Sequence, residues 1–144
     1  MNKSTFIKQV DRATIEAAII GAEAMTSGEI RVAVVHDPTG NPVATAQELF
    51  LRLGMTKTKH RNAVLILIAP SSHTFAVIGD EGVHQKCGSA FWQELTAAMS
   101  NSFKREDYTG GLKQGIDRAG ELLSTYFPRQ PGDSNELPDT VISS

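Results

Sequence analysis

"RNAVLILIAPSSHTFAVIGDEG", residues 61–82, decides the fold. Its first run, NAVLILIA, is apolar at odd and even positions alike, so both faces of the extended chain must be covered. A strand of that kind lies centrally between layers of helix. Pro70-Ser71-Ser72-His73 is a break of hairpin length, and the β-forming TFAVIG (74–79) should return antiparallel beside the first run. The charges fencing this hairpin, Arg61-Asn62 before it and Asp80-Glu81 after it, then meet at one edge of the sheet. They are either solvated strand ends or the walls of a site.

Towards the N-terminus, EIRVAVVH (29–36) alternates and is β-branched, and reads as the first strand. DPTGNP (37–42) is a loop, because two prolines, a glycine and an asparagine break regular structure. A helix over 43–53 should bury Val43, Ala46, Leu49, Phe50 and Leu53. Strand, helix and strand in this order form a βαβ unit, whose strands are parallel and whose crossover is right-handed. An earlier helix, 11–25, opens on Asp11 as its cap and presents Ile15, Ala18, Ile19 and Ala22 on one face. Residues 1–10 are read as an N-terminal arm.

Beyond the hairpin, a polar stretch over 80–88 leads to a helix over 89–103, with Phe91, Leu95, Ala98 and Met99 inward. A last helix over 107–126 contains Gly110, Gly111, Gly115 and Gly120. Each costs up to ~1 kcal/mol of helix propensity against alanine, which close packing of the backbone on the sheet would offset. Pro128 stops this helix, and 128–144 reads as a disordered tail. The predicted architecture is one α/β domain over 11–127, a three-layer α/β/α sandwich around a mixed sheet.

The chain has 144 residues, enough to bury its own core, and 40% hydrophobic against 21% charged residues is the balance of a globular protein. A net charge of −2 disfavours nucleic acid, a polyanion that calls for basic excess. The single cysteine, Cys87, excludes an internal disulfide and a thiolate zinc site. No apolar stretch near the N-terminus resembles a signal peptide, and the longest apolar run, 63–70, is too short to span a bilayer. A cytoplasmic protein with no membrane partner is expected.

The charged edge supplies the candidate site residues. Glu29, Asp80 and Glu81, with Asn62, are oxygen donors suited to Ca²⁺ or Mg²⁺. Lys57, Lys59 and Arg61, in the run KTKHR, suit a phosphate-containing small molecule. Solvated ion pairs are the ordinary alternative for both. The opposite end of the sheet carries a mobile loop with His36, Asp37, Gly40 and Asn41. Cys87, just ahead of the helix expected to start at Ser89, is either acidified by that helix N-terminus or packed as a small hydrophobe; packing is the ordinary outcome. His36, His60, His73 and His84 lack metal-ligand spacing, Ser71-Ser72-His73 has no nucleophile elbow, and YTGGLKQG is not a dinucleotide fingerprint.

TSGEIRV, LGMTKTKHRNAVLILIA, FAVIGDEGVHQKCGSAFWQEL and FKREDYTGGLKQGI together resemble the TPM-domain family, in four blocks spread over about 13–127. The resemblance implies a compact α/β/α sandwich, a thioredoxin-like variant without redox cysteines. It also implies divalent-cation binding through carboxylates beside a crevice in some members, and acid phosphatase activity in plant thylakoid members. Ser89 and His84 stand here where many relatives carry aspartate and glutamate. The chain is closer to a short, soluble bacterial subgroup with DEG or DKG at 80–82. Three roles are therefore expected to compete. They are a binding module for a divalent cation or small anion, a metal-assisted phosphatase, and a protein-assembly or interaction module with a protein partner.

Overall fold

The computed structural model describes Thr5 and residues 10–35, 41–133 and 136–143. The loop residues His36, Asp37 and Gly40, and nearly all of the N-terminal arm, lie outside the described residues.

Helix α1 (Arg12–Glu23) is capped as expected, Asp11 Oδ1 accepting the Thr14 N–H at 3.1 Å. Strand β1 (Glu29–Val34) follows, then helix α2 (Pro42–Arg52). Asn41, expected within the loop, is the cap of α2. Its Oδ1 accepts the Val43 N–H at 2.9 Å, and Pro42 takes the first turn, where its missing N–H costs nothing. Strand β2 (Ala63–Ala69) turns through a short 3₁₀ segment (Pro70–Ser72) and His73 into strand β3 (Thr74–Gly79). Helix α3 (Glu81–Lys104), helix α4 (Tyr108–Tyr126) and a two-residue strand β4 (Ile142–Ser143) complete the chain.

The sheet order is β3-β2-β1-β4. β1 runs parallel to β2 with Glu29 opposite Ala63, and β3 runs antiparallel to β2 with Gly79 opposite Val64. Alternation then sorts the core into two layers. Ile30, Val32, Val34, Val64, Ile66 and Ile68 face α1, α3 and α4. Ala33, Ala63, Leu65 and Leu67 face α2 with its Ala46, Leu49 and Phe50. The predicted mixed sheet and three-layer sandwich are what the chain forms.

Three features differ from the expectation. The polar stretch after β3 is helical from Glu81, because Asp80 caps it; Gly88, at φ 71° and ψ −172°, interrupts α3 where the helix was expected to begin. Gly111, Gly115 and Gly120 of α4 pack on helices, not on the sheet, and Gly110 lies against the capping Asp107. A Cβ on Gly120 would lie 2.7 Å from Ala22 Cβ of α1, and one on Gly111 would lie 2.6 Å from Phe103 of α3. The C-terminal segment is also packed: β4 pairs with β1 at Ala33 and Val34, and Leu137, Val141 and Ile142 lie against the two core layers. Polar composition hides three spaced apolar anchors, Val141 against the first core layer and Leu137 and Ile142 against the second.

Candidate functional site

The return of β3 brings Asp80 to Arg61. The guanidinium donates from Nε to Asp80 Oδ2 at 2.6 Å and from Nη2 to Oδ1 at 2.8 Å, with Glu81 Oε1 3.5 Å from Nη1. Asp80 Oδ1 also accepts the Glu81 N–H at 2.8 Å, which caps α3. Arg61 stands in the left-handed region at φ 51°, its carbonyl accepting the Gly82 N–H at 2.9 Å. Only glycine fits at position 82, since a Cβ there would lie 2.5 Å from the His60 carbonyl oxygen. The hydrogen bond to Asp80 raises the Arg61 pKa further above its ordinary value. Asp80 is thus committed to a fork-shaped pair and a helix cap, and Arg61 is already neutralised. This part of the edge is a clasp.

Glu29 points elsewhere. It is 2% exposed, and its Oε1 accepts the Glu136 N–H at 2.6 Å, while Glu136 Oε2 accepts the Lys59 N–H at 3.0 Å. Beside it lies Glu23, on the last turn of α1 and also 2% exposed, whose Oε2 accepts the Ile30 N–H of β1 at 2.7 Å. Burial pushes the Glu23 carboxyl up to about 10; the Asp139 carboxyl within hydrogen-bond reach and the charge of Glu29 add to this, and the Ile30 N–H opposes it. Burial also raises Glu29, against the Glu136 N–H. Arg31, buried two residues further along β1, is lowered by the same desolvation and supported by Asp139 and Glu23.

With its carboxyls ionised, the cluster leaves Glu23 Oε1 and Glu29 Oε2 facing other carboxyls with no donor, and Arg31 Nε and, at the start of β2, Asn62 Oδ1 are buried without a hydrogen-bond partner. Asn62 is fully buried, its Nδ2 donating to Ser27 Oγ at 3.2 Å and its backbone oxygen accepting the Glu29 N–H. Native interiors leave few such orphans, and each signals a water, an ion or a shared proton. Among the described residues no three Asp, Glu, His or Cys side chains form a ready metal cage.

The strand-start edge is therefore two places. Glu29 belongs to the buried carboxyl cluster, whereas Asp80 and Glu81 belong to the clasp with Arg61. The three expected cation ligands do not form one set, because Arg61 takes the lone pairs of Asp80. The expected anion clamp is also divided. Arg61 borders a groove of about 420 Å³ between α2 and β3, with His84 and Trp92. Lys59 borders a separate cavity of about 180 Å³, with Ser27, His60 and Glu136, and Lys57 lies against Gly54. Cys87 packs against the core and burial raises its thiol pKa, the opposite of an activated nucleophile.

The sequence pattern of the TPM domain matches residues 1–122. The chain belongs to the TPM domain family. Its fold matches the BA42 protein of the psychrophilic bacterium Bizionia argentinensis at TM-score 0.88, with 36% identity and 92% of each chain covered. The N-terminal domain of the cg2496 protein from Corynebacterium glutamicum shares the TPM fold at TM-score 0.64 and 16% identity, covering 94% of this chain and 81% of that one. The N-terminal domain of a protein from P. gingivalis does so at 0.63 and 15%, over 77% and 72%. No curated protein matches the chain. Among the described residues, no helix is long and apolar enough to cross a membrane.

Glu23 and Asp139 neighbour Glu29 in this TPM domain, with Arg31 balancing their charge, and the sequence carries a faint signal for Glu23 and Arg31. A glutamate on the last turn of a helix opposes the macrodipole, so Glu23 needs another reason to be there. An arginine inside EIRVAVV breaks an apolar strand.

Proposed function

We propose that this TPM domain is a divalent-cation binding module whose ligands are the buried carboxylates of Glu23 and Glu29, with water completing the shell. The observation that carries the reading is the pair of buried, neighbouring carboxyls at the start of β1, each with one oxygen, Glu23 Oε1 and Glu29 Oε2, that no N–H or hydroxyl reaches. Two carboxylates held against one another can be satisfied by a shared proton or by a shared cation. Mg²⁺ commonly takes one or two protein carboxylates and completes its shell with water, so a closed protein cage is not required. Ionised Glu23, Glu29 and Asp139 against Arg31 leave two negative charges, the charge such an ion neutralises. A cation bound there would hold the C-terminal segment down through Glu29 and its bond to Glu136. Cation and proton compete, so binding tightens as pH rises.

Calorimetric titration with Ca²⁺ and with Mg²⁺ tests this. Wild type and Asp80→Asn should both bind, and Glu29→Gln should not. No heat from wild type at millimolar cation, or binding abolished by Asp80→Asn with Glu29→Gln unaffected, overturns it. A metal-assisted phosphatase finds less support, because Arg61 is neutralised by Asp80 and Lys59 borders a different cavity.

A further inference from the structure

The opposite end of the molecule carries a second cavity, of about 360 Å³, where β2 turns into β3 and α3 ends. Its wall is aromatic. Phe75 and Phe103 meet edge to face at 5.2 Å between ring centroids, and Tyr108 lies tilted 6.0 Å from Phe103. All three are half-buried, so the ring surface is pre-assembled and still reachable. The rim carries His73, Lys104 and Glu106, all exposed.

Two rim residues hold an unusual backbone. His73 has φ 55° and Glu106 has φ 59°. Both positions end a helical turn, where glycine or asparagine takes the left-handed conformation with less strain. Three non-glycine residues among those described have positive φ, and two of them border this cavity. Strained positions of this kind persist where the surroundings enforce them and gather at ligand clamps. The charges give a second, independent indication. Lys104 and Glu106, opposite in sign and two residues apart, are ion-paired neither with one another nor with any other described residue. A ligand that satisfies this rim carries both signs next to an aromatic ring.

We propose that this cavity binds a free aromatic α-amino acid, its ring against Phe75 and Phe103, its carboxylate on the Lys104 ammonium and its ammonium on the Glu106 carboxylate. His73 closes the rim as a further polar contact. The site is separate from the carboxyl cluster at the start of β1 and does not depend on a cation there.

Amide chemical-shift titration of the full chain with L-phenylalanine tests the proposal, with phenylacetate, 2-phenylethylamine and L-alanine as truncated probes. L-Phenylalanine should shift residues 73–75 and 103–108 saturably. Each truncated probe should bind about tenfold more weakly or worse, the loss expected for one charge-assisted contact or for the ring. Lys104→Gln should weaken L-phenylalanine by a similar factor and leave 2-phenylethylamine unchanged; Glu106→Gln should weaken L-phenylalanine and leave phenylacetate unchanged. Both changes are on the surface, and a preserved spectrum elsewhere shows that the fold is intact. No saturable shift at this cavity, or equal binding of phenylacetate and L-phenylalanine, or equal binding of L-alanine, overturns the assignment.

Discussion

Glu23 shows most clearly how one residue links fold and function. Its folded-state pKa, near 10, lies far above the 4.5 of an ordinary glutamate. Between those values the folded chain holds a proton that the unfolded chain has released, so stability is full below about pH 4.5 and falls as pH rises towards 10. The slope is at most about 1.4 kcal/mol per pH unit for one proton. Glu23→Gln keeps an acceptor for Ile30 N–H and supplies a permanent donor to the neighbouring carboxylates. Denaturant melts from pH 5 to 9 without divalent cation should show wild type losing stability more steeply than Glu23→Gln, in which only the Glu29 carboxyl of this pair remains raised. A second residue-scale test concerns Glu106: Glu106→Gly removes a side chain from a left-handed position and should raise stability by up to ~1 kcal/mol in the same assay. Asp80→Ala should lower it by at least the ~1 kcal/mol of a lost helix cap.

Among the elements, α4 gives the sharpest contrast. Gly120 approaches both Cβ and backbone Cα of Ala22, at 2.7 and 3.1 Å from an ideal Cβ, so no side-chain rotation relieves Gly120→Ala. It should cost about 1–2 kcal/mol, overpacking outweighing the gain in helix propensity. Gly21 of α1 has nothing within 4 Å, and Gly21→Ala should gain up to ~1 kcal/mol. Thermal melts of the two variants settle the comparison. The sequence does foretell close packing around the α4 glycines, since four of them in a helix need a reason. It does not foretell the partner, because helix-on-helix and helix-on-sheet contacts ask for the same small residues. Likewise NAVLILIA and TFAVIG announce a central strand and its antiparallel neighbour through burial pattern and turn length. β4 announces nothing: two residues cannot show a period.

For the whole molecule, the C-terminal segment joins ends of the chain that the sequence leaves unrelated. Arg12 donates to the Val141 carbonyl at 2.9 Å, Glu16 accepts the Val141 N–H at 2.9 Å, and Arg129 donates to the Glu23 carbonyl at 3.1 Å. These contacts span more than a hundred residues and hold the C-terminal segment beside the Glu23–Glu29 cluster. That is why the clasp of Arg61 and Asp80 was legible from one hairpin while the carboxyl cluster was not. The clasp needs only strand direction; the cluster needs α1, β1 and a distant tail at once. Leu137→Ala, which removes a half-buried anchor from the layer below α2, should destabilise the fold by about 1–2 kcal/mol. In amide exchange, the same change should loosen residues 136–143 before it loosens β2.

The most direct test of the cation reading is to follow the side-chain carboxyl carbons of every Asp and Glu by NMR while Ca²⁺ or Mg²⁺ is added at pH 8. Glu23 and Glu29 should move together and saturate, with Asp80 and Glu81 stationary. Movement confined to Asp80 and Glu81, or no saturable movement at Glu23 and Glu29, would contradict it.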